Sequence, residues 1–160
     1  MATSASDAEM LSRLEQAFRT RSRPEHFTNY LHCEECAEHD QLLISRDLES
    51  LRIEDVGNPG WDPICFISPE GFAYYLPALA RLTLAEPTFG YPWYGDQFFW
   101  HLIMDGPANT RVLACTPEQR KAVAMFLQHL LETRAAQIDE SLLGDDALRS
   151  FRIWSGDEAA

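Results

Sequence analysis

The sequence feature that most constrains the fold is a strongly marked helix that begins after Thr116. The run Thr116-Pro117-Glu118-Gln119 offers a hydroxyl cap, a proline at the position where no N–H is needed, and a glutamine that can complete the cap. Apolar side chains then recur at i, i+3, i+4 and i+7, which is the spacing of a helix packed on a core through one face. These side chains are Val123, Phe126, Leu127 and Leu130. We predict a helix over residues 117–138.

Four further helices are predicted from similar signals. Ser6 and Glu9 form an S-x-x-E capping box, and Ser68 precedes a Pro-Glu pair that opens a second helix with Pro77 inside it. Gly95-Asp96 precedes a very apolar segment, and residues 145–154 form the last candidate. The predicted buried faces comprise Leu11, Leu14 and Phe18; Phe72, Tyr75, Leu76 and Leu79; and Phe98, Phe99, Trp100, Leu102 and Ile103. The third of these helices has almost no polar face, so we expect it to be the most buried.

These helices predict an all-α fold. We expect a single compact domain of five or six helices over residues 5–156, with disordered tails at residues 1–4 and 157–160. Two long connections, residues 46–67 and 85–94, are rich in proline, glycine and aromatic residues. Strand signals are limited to the short segments ICFI and RVLAC, which could pair.

Length and charge narrow the class of protein. A chain of 160 residues that is 46% apolar can form one domain with a substantial core. The chain has no apolar run of about 18–20 residues, and MATSASDAEMLSRLEQ lacks the features of a secretory signal, so we predict a cytoplasmic protein. The net charge of −12 disfavours binding to nucleic acid or to membranes and would attract a basic protein partner.

The segment HCEECAEHD, residues 32–40, is the densest cluster of reactive side chains. If a helix begins near His32, an apolar stripe follows in which Asp40 is the one polar residue; the stripe comprises Cys33, Cys36, Ala37, Leu43 and Ile44. Cysteine is often buried as a small hydrophobic residue, so the favoured interpretation is structural. Glu34, Glu35, Glu38 and His39 would then face water.

Two alternatives for this segment stay open. A zinc site could use Cys33 and Cys36 with His39, His32 or His26 as the third ligand. A remote residue such as Cys65, Cys115 or His101 would complete it, although no second C-x-x-C or H-x-x-x-H is present. A redox pair would require a C-x-x-C at a helix start, where the helix dipole lowers the thiol pKa. The three neighbouring glutamates would oppose that effect, and no preceding strand is predicted.

Recognisable catalytic motifs are absent from the sequence. We find neither G-x-S-x-G nor a glycine-rich phosphate loop, and Asp145-Asp146 is best interpreted as helix-cap charge. We expect His101, which lies in an apolar helix, to be a hydrogen-bonded core histidine. We therefore predict no catalytic residues and no cofactor, and we favour a non-enzymatic protein over an enzyme.

The two long connections carry aromatic side chains beside prolines that stiffen the backbone. They could anchor a partner protein, because pre-stiffened aromatic residues lose little entropy on binding. They could instead fold onto the core as lids, and this is the interpretation we favour. The candidate partner-binding residues are Trp61, Asp62, Tyr91, Trp93 and Tyr94.

The C-x-E-C motif together with a later S-P-E-x-F-x-Y-Y-L-P-A motif resembles an uncharacterised family of small bacterial proteins, a domain of unknown function. The matching residues are Cys33, Glu35, Cys36, Ser68, Pro69, Glu70, Phe72, Tyr74, Tyr75, Leu76, Pro77 and Ala78. The resemblance spans about residues 30–138, includes TPEQRKAVAMFL, and leaves GNPGWDPICFI outside the pattern. It implies a bacterial source and a mainly helical fold, and it brings no activity.

Two functions follow as expectations. The first is a non-enzymatic bacterial protein that binds another protein, of the immunity or inhibitor type if the partner is basic. The second, from a different class, is a metal-binding protein or metal-dependent enzyme that uses the HCEECAEH segment, with zinc as the metal.

Overall fold

The computed structural model describes residues 5–157. Of the two predicted tails, residues 1–4 and 158–160 lie outside this range. Within residues 5–157 the chain forms helices and no strand, which confirms the all-α prediction. Six helices have nine or more residues: α1 (Asp7–Phe18), α2 (Glu34–Ile44), α4 (Pro69–Leu84), α5 (Gly95–Ile103), α7 (Pro117–Thr133) and α9 (Gly144–Ser155). Three are shorter: α3 (Ile53–Val56), α6 (Thr110–Leu113) and α8 (Ala135–Glu140).

The contacts divide the described residues into two compact units. The central unit comprises residues 21–101, and the terminal unit combines the residues up to Thr20 with those from Leu102 onward. The predicted domain limits, residues 5–156, stay a prediction.

In the terminal unit α7 packs against both α1 and α9. The capping boxes predicted for α1 and α7 are both present, with Ser6 and Thr116 accepting the backbone N–H of Glu9 and Gln119. The buried face of α1 consists of Met10, Leu14 and Phe18, while Leu11 is only partly buried. The predicted helix over residues 117–138 ends early, at Thr133, because Arg134 leaves the helical conformation before α8 begins.

In the central unit α4 has eleven buried residues, more than any other helix of that unit. Its predicted inner face, Phe72, Tyr75, Leu76 and Leu79, is fully buried. The Tyr75 hydroxyl donates to the carbonyl oxygens of Leu43 (2.6 Å) and Arg46 (2.9 Å), and Arg23 donates to Ile44 (2.7 Å). The last carbonyls of a helix lack partners within the helix, so these bonds fix the C-terminal end of α2.

Asp40, the polar residue within the predicted apolar stripe, has a structural role. It is 3% exposed, and its Oδ1 accepts the backbone N–H groups of Phe27 (2.6 Å) and Thr28 (3.1 Å). Its Oδ2 lies 2.7 Å from Nδ1 of His26. The buried carboxylate therefore has several donors and holds residues 26–28 against α2.

Three local features differ from the simplest interpretation of the sequence. Trp100 is 55% exposed, so α5 does have a solvent-facing side. ICFI forms a 3-10 turn (Pro63–Cys65) and RVLAC lies largely in α6; the one bridge within residues 5–157 joins Thr28 to Ile67. The connection at residues 46–67 contains α3 and two 3-10 turns, because Asn58 and Asp62 accept N–H groups two residues ahead.

Candidate functional site

Cys33 is the N-cap of α2. Its backbone is extended (φ −162°, ψ 169°), and its Sγ accepts the backbone N–H of Cys36 at 3.4 Å. A thiol thus occupies the position where serine, threonine or aspartate usually satisfies a free N–H at a helix start. Since the helix begins at Glu34, Cys33 lies outside its first turn and is exposed to solvent.

The predicted inward-facing stripe is therefore only partly correct. Cys36 and Leu43 are buried, Ala37 is intermediate, and Cys33 and Ile44 are exposed. Ile44 is 43% exposed because it lies at the last residue of α2. The prediction that His39 faces water was also wrong.

His32, Cys33 and Cys36 form one group, which we call the thiol cluster. One ring nitrogen and the two sulfur atoms lie within 4.8 Å of one another, and Nδ1 of His32 is 3.8 Å from Sγ of Cys36. His32 and Cys33 are exposed, whereas Cys36 is 6% exposed. The cluster therefore opens to solvent on one side.

The two thiols differ in acidity. The pKa of Cys33 is lowered, first by the Cys36 backbone N–H and then by hydrogen bonds from His32 and the Cys36 thiol. The pKa of Cys36 is raised, first by its hydrogen bond to Cys33 and then by burial. The charge of Glu35 adds to the raised pKa of Cys36. Cys33 is therefore the more acidic of the two thiols.

His39, one of the predicted metal ligands, is not part of the thiol cluster. Its ring is buried and contacts the rings of Trp61 (centroids 4.7 Å apart) and Phe66 (5.1 Å). Its Nε2 lies 3.4 Å from a carboxylate oxygen of Glu35, and among residues 5–157 its Nδ1 has no hydrogen-bond partner. Its position on α2, three residues after Cys36, turns the ring toward the 3-10 turns instead of the helix start.

A second group was missed by the sequence reasoning. Asp62, Cys65 and His101 also place one ligand-type atom each within 4.8 Å of one another, and we call them the Cys65 cluster. His101 is fully buried and lies 2.7 Å from Oδ2 of Asp62, which confirms it as a hydrogen-bonded core histidine. The sequence names each residue, but only the fold brings residues 62 and 65 to α5.

The aromatic candidates for partner binding divide into two sets. Trp93 (7% exposed) and Tyr94 (2%) are buried, and the Trp93 indole N–H donates to the carbonyl of Thr83 at 2.9 Å. They lie on the core as lids, so they offer little surface to a partner. Asp62 (3% exposed) is likewise buried because its carboxylate accepts N–H groups from within the central unit.

Tyr91 and Trp61 remain at the surface. Tyr91 is partly exposed, and Trp61 is 44% exposed while one side of its ring contacts His39. Phe66, which was not among the candidates, is 42% exposed beside the same histidine. Trp61 and Phe66 are therefore two partly exposed aromatic side chains that contact the same buried imidazole.

Comparisons with protein-family models, with curated proteins and with solved structures give no match. In the part of the chain that the structure describes, no helix is long and apolar enough to cross a membrane. The fold and the two clusters thus define an all-α protein with a C-x-x-C thiol pair at a helix start.

Proposed function

We propose that the chain binds a soft or borderline divalent metal ion, with zinc as the first choice, through His32, Cys33 and Cys36. The observation that carries this proposal is the approach of one imidazole nitrogen and two sulfurs to within 4.8 Å of one another at the surface. Thiolate and imidazole are the ligands that zinc prefers in proteins.

The distances fit tetrahedral coordination. Zinc–sulfur bonds of about 2.3 Å and zinc–nitrogen bonds of about 2.0–2.1 Å, set at tetrahedral angles, separate the two ligand atoms by about 3.6 Å. Nδ1 of His32 and Sγ of Cys36 are 3.8 Å apart. An ion could therefore be held with only small side-chain movements.

The electrostatics favour a cation. A metal binds the thiolate, and the backbone N–H of Cys36 already lowers the pKa of Cys33. Glu34 and Glu35 flank the cysteines, and the chain carries a net charge of −12. Three protein ligands at an exposed position leave a fourth for water or for a ligand from another molecule, as in zinc sites that act on substrates.

A reducing compartment would suit this function, because all four cysteines are free thiols in the structure. A cytoplasmic, bacterial location is accordingly part of the proposal.

The test is a metal titration of untagged protein that has first been stripped with a chelator. Cobalt(II) should bind with one equivalent and give thiolate charge-transfer absorption, and zinc should displace it. Cys33→Ser and Cys36→Ser should each abolish the absorption, and His32→Gln should weaken binding. The charge-transfer absorption should be retained in two control variants of the same unit, Cys65→Ser and His39→Gln.

Two results would overturn the proposal. One is binding of less than about a tenth of an equivalent of zinc, since structural zinc binding of roughly 10 kcal/mol or more survives purification. The other is charge-transfer absorption that persists in the Cys33→Ser, Cys36→Ser double variant. If the stripped protein instead forms a Cys33–Cys36 disulfide in air and takes up no metal after reduction, the cluster is a redox pair.

Protein binding is the second candidate function, carried by the exposed pair Trp61 and Phe66. Partly exposed aromatic side chains are frequent anchors at interfaces, and the negative charge of the chain would speed association with a basic protein such as a toxin that an immunity-type inhibitor neutralises. A pull-down at low and at high salt tests this, with Trp61→Ala compared with Trp100→Ala, a control at another exposed tryptophan. Equal retention by both variants, or none by the wild type, would exclude this surface.

A further inference from the structure

We propose that the terminal unit binds a single-chain amphipathic anion, an alkyl chain that ends in a carboxylate, in a groove formed by α6, α7 and α9. The carboxylate pairs with Arg120 and Lys121, and the alkyl chain lies against the apolar walls. We call this cavity the α7 groove. The inference concerns other residues than the thiol cluster and does not depend on metal binding there.

The first support is the size and lining of the α7 groove. Its volume is about 720 Å³, within the range of roughly 300–1,000 Å³ that is usual for small-molecule pockets. Val112, Ile153 and Trp154 contribute buried apolar surface to it. Leu113 is 65% exposed and Phe151 is partly exposed, so both lie where the groove opens to solvent. The groove therefore offers apolar surface that a ligand can cover.

The length of the groove suits one alkyl chain. Its lining residues on α7 recur at i, i+3, i+4, i+7, i+8 and i+11, so they share one face of the helix. At a rise of about 1.5 Å per residue they span about 16 Å. One extended acyl chain is about as long, since it fills half of the roughly 30 Å hydrocarbon core of a bilayer. These residues are Pro117, Arg120, Lys121, Ala124, Met125 and Gln128.

The second support is the charge of the α7 groove. Arg120 and Lys121 line it, and none of the described residues in its lining carries a carboxylate. The whole chain has 25 acidic and 13 basic side chains, so the groove reverses the overall balance. Its local potential therefore favours an anion, although the chain carries a net charge of −12.

Both cations can reach a ligand. Among residues 5–157, neither Arg120 nor Lys121 forms an ion pair. Nη1 of Arg120 donates to the carbonyl oxygen of Cys115 (3.2 Å), which is its one hydrogen bond within this range. A guanidinium has five N–H donors, so Arg120 has donors left for a carboxylate.

A sugar or a nucleotide fits the α7 groove less well. Such ligands need several directional hydrogen bonds, and apart from the two cations only three described side chains in the lining are polar. The Gln128 amide already donates to Glu132 (3.1 Å), and the Trp154 indole donates to the carbonyl of Leu102 (3.0 Å). The Ser155 hydroxyl donates to a carbonyl of its own helix. An alkyl chain requires none of these groups.

A small ligand also suits the groove better than a protein partner does. A stable protein interface takes about 20–30 residues from each side, more than the fourteen described residues that line the groove.

The test uses ω-bromododecanoate below its critical micelle concentration. Bromine quenches tryptophan fluorescence at short range, and Trp154 is the one tryptophan among the described lining residues. We expect saturable quenching with one ligand per chain, and loss of that quenching in Trp154→Phe. Trp100→Phe, the same change at an exposed tryptophan of α5, should retain it.

Charge recognition is tested at the two cations. The double variant Arg120→Gln, Lys121→Gln should weaken binding about tenfold or more, since a charge-assisted hydrogen bond is worth about that factor in affinity. Arg152→Gln removes an exposed cation of α9 that is not in the lining, so it should bind as the wild type does. Equal weakening by Arg152→Gln would show that only net charge matters, and this would overturn the proposal.

The apolar wall is tested at Leu113, where the exposure of the side chain allows a polar substitution without loss of the fold. Leu113→Gln should weaken binding several-fold, because the alkyl chain covers this side chain. Leu148→Gln, at an exposed leucine of α9 outside the lining, is the matched control and should leave the affinity unchanged.

A competition on the wild type needs no variant. Dodecanoate should displace ω-bromododecanoate at a concentration at least about tenfold lower than dodecyltrimethylammonium, which has the same alkyl chain and the opposite charge. Nonspecific adsorption to a chain of net charge −12 would favour the cation, so this order reports the α7 groove.

Three results would overturn the proposal. One is equal displacement by the two dodecyl compounds. Another is quenching that persists unchanged in Trp154→Phe. The third is the absence of saturable quenching, which is expected if an acidic peptide or a second copy of the chain occupies the groove.

Discussion

The backbone N–H of Cys36 donates to Sγ of Cys33 over an N···S distance of 3.4 Å, so the first residue of the C-x-x-C pair caps the helix that contains the second. This bond contributes to a difference in acidity between the two thiols. It favours the thiolate of Cys33, and the thiol contact between the two residues raises the pKa of Cys36.

The difference in pKa between the two thiols predicts the order of their alkylation in the metal-free protein. Iodoacetamide should modify Cys33 at least tenfold faster than Cys36 near neutral pH, because Cys33 is exposed and has the lowered pKa. Peptide mapping by mass spectrometry over time measures both rates. Equal rates would show that the N–H···S bond has no effect on reactivity. Zinc should protect both residues if the proposed site forms.

Zinc should also stabilise the fold. A ligand present at a hundred times its Kd adds about 2.7 kcal/mol to the free energy of unfolding, so the melting temperature should rise measurably. The shift should shrink as pH falls, since protons compete for the thiolates and for His32. Cys33→Ser should show no shift, and Cys65→Ser should respond as the wild type does. A shift of equal size in Cys33→Ser would locate the metal elsewhere.

Tyr75 predicts a loss of stability at alkaline pH. Burial raises its pKa to about 12, from an ordinary value of 10.0. A raised pKa means that the folded state holds the proton more tightly than the unfolded chain does. The stability that the protonated Tyr75 hydroxyl contributes is complete below pH 10 and is lost as pH rises through about 12.

The variant Tyr75→Phe isolates this contribution. It removes hydrogen bonds to the carbonyls of Leu43 and Arg46, so it should cost about 1–3 kcal/mol at neutral pH. The difference from the wild type should narrow between pH 10 and 12 in urea titrations. Tyr74→Phe, which removes a hydroxyl that accepts from Arg23, is the matched control for loss of a neighbouring phenol hydroxyl.

Asp7 predicts a loss of stability at acidic pH. Its pKa is lowered first by the hydrogen bond from Arg134, at 2.7 Å, with His129 contributing at 2.6 Å. Since the folded pKa is depressed, this stability is present above the unfolded pKa of about 3.9 and is lost as pH falls through the folded pKa. Asp7→Asn should cost roughly 0.5–1 kcal/mol at pH 7, the range for a solvent-screened pair, and nothing at the acid end.

Asp145→Asn is the control for Asp7→Asn, because Asp145 also lies in the first turn of a helix. The Asp145→Asn variant measures how much a first-turn carboxylate stabilises a helix through the helix dipole, without the ion pair that Asp7 makes with Arg134. If both variants lose the same stability across the pH range, the ion pair contributes nothing beyond the helix dipole.

Gly71 and Gly144 should respond oppositely to alanine. A Cβ at Gly71 would lie 2.8 Å from Cγ1 of Ile67 and 3.0 Å from Cδ1 of Phe27, so Gly71→Ala should destabilise by about 1–3 kcal/mol through overpacking. A Cβ at Gly144 meets nothing within 4 Å, and Gly144→Ala should be neutral or slightly stabilising. Denaturant unfolding curves measure both. Stabilisation by Gly71→Ala would show that helix propensity outweighs the close contact.

The helix starts could be predicted because their signals are local. Ser6, Ser68 and Thr116 each cap a helix by accepting the backbone N–H of the residue three positions ahead, and those interactions can be predicted from the sequence. The end of α7 could not be predicted, because the apolar spacing continues to Ile138 and the break depends on the conformation of Arg134.

The sites were predictable only where their residues are near in sequence. His32, Cys33 and Cys36 form a cluster within five positions, and the metal-binding alternative of the sequence analysis included all three. His39 was assigned to solvent because the helical wheel has no information about Trp61 and Phe66, which come from a different segment and cover it. The Cys65 cluster depends on a 39-residue separation between Asp62 and His101, which no spacing rule reveals.

The terminal unit is assembled from both ends of the described chain, and its members Asp7 and His129 are 122 residues apart. During synthesis α1 leaves the ribosome long before the helix it packs against exists. Residues 21–101 are complete while α1 still lacks α7, so the central unit can fold first and the apolar side of α1 stays uncovered until the last helices emerge. A chain released early would expose Met10, Leu14 and Phe18, which makes incomplete products natural substrates for chaperones and proteases.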